Sequence, residues 1–317
     1  MESIADKLRF DPCELPADLQ SLRQEVRDFL TNELHDYSVV KRSHSWEAYD
    51  AEFSAKLGEH GWLGMTLPKK YGGQGCSAFE RYVVVEECLV AGAPTGFHWV
   101  ADRQSGTLLT RYGNEAQKQE IIPKITAGKA CFCIGMSEPN SGSDLASLRT
   151  KAEKTENGWL VNGTKIWTSQ AHRADYMIAL FRSDPDPEKK HAGLSQFLID
   201  LKKTEGITPR TIENLAGGKN FNEVSFVDVE LPADALIGIE GEGWKQVTEE
   251  LALERSGPER YLSCFYLLRE LIDILKGCAN PAILAKIGTQ VAWATTLRTM
   301  SLSIASQLHA GENPTLA

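Results

Sequence analysis

Glu254 is the residue to which the sequence most readily assigns a chemical task. On a helix expected over 243–276, positions spaced alternately by four and three read Val247, Leu251, Glu254, Pro258, Tyr261, Phe265 and Leu268, so one carboxylate interrupts an apolar stripe. Burial in such a seam would raise its pKa from about 4.3 toward neutrality, which suits a general base acting on a weakly acidic C–H bond. The same placement also fits an ion pair inside a helical bundle, with Arg255 or Arg260, or a side chain reaching water at the edge of the stripe. Pro258 has no amide donor and predicts a kink beside Glu254.

Two further segments have suitable residue types. Met136-Ser-Glu-Pro-Asn-Ser-Gly-Ser-Asp-Leu145 gathers small hydroxyl residues, a glycine and a proline in one loop, where backbone N–H groups and short donors can approach a flat ring or a phosphate. It equally fits a turn that binds nothing. Lys165-Ile-Trp-Thr-Ser169 sets a tryptophan beside two hydroxyls, a stacking surface with donors at its margin that would suit an isoalloxazine ring, or else a tryptophan in a core.

The elements that must position these residues fall into three stretches. Residues 1–130 read as helical: Leu19, Leu22, Val26, Phe29 and Leu30 share one stripe, and 46–62 and 79–91 are long enough and free enough of glycine and proline to be helices. The Pro68-Lys-Lys-Tyr-Gly-Gly-Gln-Gly75 run between them is a loop, its glycines lacking the spacing of a pyrophosphate cradle. Over 131–238 the pattern turns to short β-type runs at 176–181, 194–200 and 224–231, with Asn157-Gly158 and Asn162-Gly163 read as tight turns. Strands so spaced, without intervening helices, predict an antiparallel barrel or sandwich. Helix returns over 239–317, as two long segments near 243–276 and 282–308, and the stop at Ala317 reads as a bundle cut short. The expected class is therefore α+β: a helical domain, a central antiparallel β domain and an incomplete C-terminal helical bundle.

Composition narrows the function. A chain of 317 residues, 42% hydrophobic and 24% charged, suits a packed protein of more than one sub-domain. A net charge of −9 argues against nucleic acid or an anionic membrane as the main partner. The cysteines at 13, 76, 88, 131, 133, 264 and 278 form no CxxC pair or zinc spacing and read as reduced thiols. With no apolar run long enough to span a bilayer and no leader pattern at the N-terminus, a cytoplasmic protein without a bound metal is expected.

Together these segments resemble the acyl-CoA dehydrogenase family. The family pattern of a hydrophobic residue, Ser or Thr, Glu-Pro, two small residues and Gly-Ser-Asp is matched at Met136 to Asp144. Its Asn-Gly-x-Lys-x-Trp pattern with trailing hydroxyls is matched at Asn162 to Ser169, Arg-Ser-Asp stands at 182–184, and Gly-Trp-Leu-Gly at 61–64. The resemblance implies FAD and an acyl-CoA thioester as ligands, an electron-transferring flavoprotein as acceptor, and a homo- or hetero-oligomer, dimer or tetramer. It implies that Ile134, Met136, Ser137, Ser143, Trp167, Thr168 and Ser169 hold the flavin, and that Ser143, Arg255 and Leu251 contact the substrate. His172 is read as a surface residue. The family places its base either on a loop of the bundle or just before an arginine on the first bundle helix, and Leu253-Glu254-Arg255 has the second arrangement. The implied reaction is α,β-dehydrogenation to the trans-2-enoyl-CoA, Glu254 removing the α-proton and the β-hydrogen passing as hydride to flavin N5, as in fatty acid β-oxidation. An oxidase on the same fold, or a half-site subunit needing a related chain, remains open. The Arg-x-x-Phe-Gly segment that many members use to reach a neighbour's FAD has no counterpart between 268 and 287.

Overall fold

The computed structural model describes residues 10–186, 188–255, 257–277 and 280–312, the side chains of 252–255 excepted. Before the sheet come helices α1 (Gln20–Glu33), α2 (Val39–Ser43), α3 (Ala51–Glu59), α4 (Ala78–Val90), α5 (Gly106–Tyr112) and α6 (Glu115–Thr126). The strands are β1 (Phe132–Gly135), β2 (Lys151–Lys154), β3 (Gly158–Ser169), β4 (Tyr176–Arg182), β5 (Leu194–Asp200), β6 (Ile207–Ile212) and β7 (Phe221–Pro232). After them come α7 (Gly243–Arg255), α8 (Glu259–Leu262), α9 (Phe265–Ile274) and α10 (Pro281–His309). The chain divides into two compact units: Met1–Lys69 with Gly73–Phe97 and Ala252–Ala317, and Lys70–Gly72 with His98–Leu251. Among the described residues no helix is long and apolar enough to cross a membrane.

In the first unit the apolar stripe of α1 behaves as its spacing dictates. Val26 and Leu30 are buried with Phe53, Leu57, Trp62 and Val84, while Leu22 and Phe29 pack at the margin. The polar side of the same helix is also tied down: Arg23 pairs with Glu86 and Glu87, Arg27 with Glu87, and Arg298 of α10 with Glu86. Helix α3 is shorter than the 46–62 expected because Asp50 caps it, its carboxylate accepting from the Phe53 amide at 3.0 Å. The helix expected over 243–276 is in fact three, α7, α8 and α9. Pro258 occupies the N-cap of α8, where its missing donor is harmless, so the predicted kink is a full break and the stripe through Glu254 does not run on.

The second unit is built on one seven-stranded sheet ordered β1-β4-β2-β3-β7-β6, with β5 paired to β4. It is antiparallel except where β4 receives β1 and the start of β2 in parallel. Phe181, Phe197 and Phe226 fill its interior through ring contacts with centroids 5.3 and 5.6 Å apart. Strand β6, absent from the sequence reading, is an exposed edge carrying Pro209, which hid its alternation.

Asn157-Gly158 closes the β2–β3 hairpin as expected, but Asn162-Gly163 is no turn. It lies inside β3, where the register with β7 slips between Val161 and Gly163. Gly163 has φ 147°, and a Cβ there would stand 2.5 Å from Thr150 Oγ1 and 2.7 Å from its Cβ. Glycine is thus required by close approach of the neighbouring chain. Gly163→Ala is expected to destabilise the protein by about 1–3 kcal/mol, seen as a lower urea midpoint at unchanged m value; an unchanged midpoint would contradict this packing.

Candidate functional site

The second slip in β3, between Lys165 and Thr168, turns Trp167 out of the sheet. Trp167 has φ 59° and Gln170 φ 61°, and left-handed backbone costs a non-glycine residue roughly 1–2 kcal/mol. The surroundings must therefore hold this turn in place. Asn222, fully buried on β7, donates from Nδ2 to the Thr168 carbonyl at 2.9 Å, and the Gln170 amide donates to the Asn220 carbonyl at 2.7 Å. His172 completes the brace. Arg173 Nε donates to His172 Nε2 at 2.8 Å, which leaves the proton on Nδ1 to be donated to Asn222 Oδ1 at 3.0 Å. Burial, then the adjacent Arg173 charge, holds His172 below the usual imidazole range, consistent with that neutral tautomer. His172 is thus a half-buried part of the turn's support, in place of the surface residue expected.

A buried ion pair joins the turn to the 136–143 loop. Lys165 is 0% exposed, and its ammonium donates to Glu138 Oε1 at 2.9 Å and to the Met136 carbonyl at 3.0 Å. Glu138 also accepts from the backbone amides of Arg149 at 2.7 Å and Thr150 at 2.9 Å. Burial brings Lys165 down to about 8 against the opposing pull of Glu138. Burial would raise Glu138, yet the Lys165 charge and the three donors outweigh it and hold the carboxyl below its ordinary range. The Ile166 amide, donating to the Ser137 carbonyl at 2.8 Å, completes the seam. Both residues stand in the 136–144 and 162–169 motifs, where sequence reasoning assigns them no role; a lysine two residues before a tryptophan, and a glutamate before a proline, are the available signals.

The expected site residues divide by position. Ile134, Met136, Ser137 and Ser169 are partly exposed, Trp167 is 58% exposed and meets Phe221 ring to ring nearly at right angles, and Ser143 is exposed. Among the described residues no hydrogen bond engages the hydroxyls of Ser137, Ser143 or Ser169. Thr168 differs: its Oγ1 is buried and unpartnered, facing the interior and not the surface that Trp167 presents. Met136 and Leu251 meet in one apolar cluster with Leu148, Leu180, Leu194 and Val247. Glu254 and Arg255 lie on the last turn of α7, three and four residues beyond Leu251, and their side chains lie outside the described residues. An exposed indole flanked by unengaged hydroxyls on two bonded segments suits a planar aromatic group with a polar edge, so these residues fit a flavin.

Helix α7 holds a second carboxyl that the sequence reading passed over. Glu250 is buried and accepts at Oε2 from Gln196 Nε2 of β5 at 3.1 Å, while its Oε1 has no partner. Desolvation raises it to about 7 against that one hydrogen bond.

Comparison with known proteins bears on both halves of this arrangement. Family models for the acyl-CoA dehydrogenase N-terminal domain and middle domain match residues 16–129 and 133–229. Acyl-CoA dehydrogenase FadE26 of Mycobacterium tuberculosis is 34% identical over 259 residues, 80% of this chain and 64% of that protein. A solved structure described as Tcur3481-Tcur3483 steroid ACAD is 30% identical with a TM-score of 0.85, covering 95% of this chain and 79% of that one. The ChsE4-ChsE5 complex from Mycobacterium tuberculosis gives 29% identity and a TM-score of 0.81 over 94% of this chain and 78% of that one. The chain spans 64% of FadE26 and 62% of FadE29 from the same organism, under two thirds of each.

Proposed function

Because this chain belongs to the acyl-CoA dehydrogenase family, we propose that it takes part in the FAD-dependent α,β-dehydrogenation of an acyl-CoA thioester. The observation that carries this reading is the seam itself: the Met136–Ser143 loop and the Trp167 turn, held together by Lys165–Glu138 and by the Ile166–Ser137 hydrogen bond, offer an exposed ring and free hydroxyls side by side.

Ile134, Met136, Ser137, Trp167 and Ser169 would hold the flavin, with the Thr168 backbone fixing the turn. Ser143, Arg255 and Leu251 would contact the substrate. Glu254 acts as the base that takes the α-proton, and hydrogen bonds to the thioester carbonyl stabilise the enolate that develops. Bound FAD would supply the two-electron acceptor that takes the β-hydrogen as hydride. The product of that sequence is the trans-2-enoyl-CoA. We further propose an electron-transferring flavoprotein as acceptor and a functional division near 130 and 238.

One relative is called a steroid ACAD, so a ring-bearing acyl-CoA belongs at the head of any substrate panel, beside straight and branched chains. The purified chain is expected to be yellow, and its flavin to bleach anaerobically with at least one acyl-CoA of the panel. Slow recolouring in air would mark a dehydrogenase and fast recolouring an oxidase. Two of the solved relatives carry paired names, Tcur3481-Tcur3483 and ChsE4-ChsE5, which favours a second reading in which the chain works with a related partner. Colourless protein that takes up FAD only on mixing with such a partner would select that reading; no flavin under either condition would defeat both.

A further inference from the structure

Glu250 sits where a carboxylate has nothing to lean on. It projects from α7 onto β5, where it meets Gln196, fully buried on the sheet; Gln246, also fully buried, stands one turn earlier on α7. Each glutamine spends a donor: Gln196 Nε2 on Glu250 Oε2, and Gln246 Nε2 on the Ile237 carbonyl at 2.9 Å. Gln196 Oε1, Gln246 Oε1 and Glu250 Oε1 are left buried without partners. All three are acceptors, so the cluster is short of a proton donor.

Among the described residues the charged neighbours do not supply one. Glu249, next on the helix, accepts from Tyr112 Oη of α5 at 2.6 Å and pairs with Arg111 at 3.3 Å. Lys245 is drawn over the Tyr112 ring at 5.9 Å, and the 237–238 segment offers only backbone and a glycine. Among these groups an ionised Glu250 would be a buried charge with a single hydrogen bond, whereas one proton on Oε1 turns an orphaned acceptor into a donor in a cluster whose glutamine carbonyls also lack partners.

We propose that Glu250 is held as a neutral carboxylic acid and acts as a positioning residue for Glu254, keeping the preceding turn of α7 free of a second charge so that Glu254 alone ionises there. Residues four apart are neighbours on a helix, and two carboxylates so placed raise each other's proton affinity. The role toward Glu254 rests on the proposed function; the protonation state of Glu250 does not. Glu250→Gln reproduces the neutral shape. With a folded pKa near 7 against an ordinary 4.5, the stabilising contribution of Glu250 is complete below about 4.5 and is lost as pH rises through 7. The thermal midpoint of the wild type should accordingly fall between pH 5 and 7.5 relative to that of the variant.

The test is infrared difference spectroscopy of the whole chain against Glu250→Gln, paired with flavin bleaching across pH. A protonated-acid carbonyl band at pH 6, absent from the variant and titrating near 7, is expected. Bleaching rates should agree at pH 6 and diverge by about twofold above 7. A carboxylate band from Glu250 at pH 6, or superimposable pH profiles, would overturn the proposal. Should no acyl-CoA bleach the flavin, the proposed activity falls, and the infrared titration still decides the state of Glu250.

Discussion

Glu254→Gln is expected to leave acyl-CoA binding intact while slowing anaerobic flavin bleaching by about 10²–10⁴-fold. The amide keeps the shape and most of the polarity of the acid but cannot accept a proton, so only a step that needs a base should suffer. Binding is read separately, from the shift of the flavin spectrum by a non-oxidisable acyl-CoA analogue. The structural alternative, an ion pair with Arg255 or Arg260, predicts the reverse pattern: a lower thermal midpoint with bleaching preserved. Unchanged bleaching would remove Glu254 from the mechanism.

Glu254 stands out in the sequence because it combines a periodicity with an anomaly, an acid where the stripe calls for an apolar side chain; where that side chain points lies outside the described residues. What periodicity could not see was the break at Pro258, since three short helices whose apolar residues happen to keep one spacing look like one long helix in sequence. The strands at 176–181 and 194–200 were equally legible, because fully buried strands such as β4 and β5 are continuous apolar runs. Strand β3 was not. Its polar residues, its glycines and its outward tryptophan imitate turns, and only the register with β7 shows Asn162-Gly163 and Trp167 as irregularities within one twelve-residue strand.

Glu138, Lys165 and Glu250 mark a different limit. Each is a charged type in a buried position, and single-sequence reasoning assigns charged residues to the surface because that is where most of them lie. Their partners come from segments remote in sequence: Lys165 and Glu138 are separated by 27 residues, Glu250 and Gln196 by 54. The apolar neighbours of Lys165, Ile166 and Trp167, hint at burial, but only the fold shows that Glu138 is there to meet it.

That pair yields the second large effect. Lys165→Met is expected to cost about 3–5 kcal/mol of folding stability, because it strands the Glu138 carboxylate in the interior. The two backbone amides of Arg149 and Thr150 still serve Glu138, but the largest influence holding its pKa down is gone, and burial then lifts the carboxyl above its ordinary range. A group raised on folding loses its stabilising contribution as pH increases, so Lys165→Met should be rescued by mild acid. Glu138→Gln should behave in the opposite sense. Lys165, already brought to about 8 by burial, loses the partner that pulls it up and moves lower still. A group lowered on folding contributes fully above its unfolded pKa and loses that contribution as pH falls, so Glu138→Gln should gain stability from pH 7 to 9. The double variant Lys165→Met with Glu138→Gln leaves no charge buried and should recover most of the loss at every pH. Urea midpoints for the three variants at pH 5.5, 7 and 9 measure all of this. Equal pH slopes in the two single variants would mean that Lys165 and Glu138 do not face each other as a buried ion pair, and the seam that sets Trp167 beside Ser137 would need another cause.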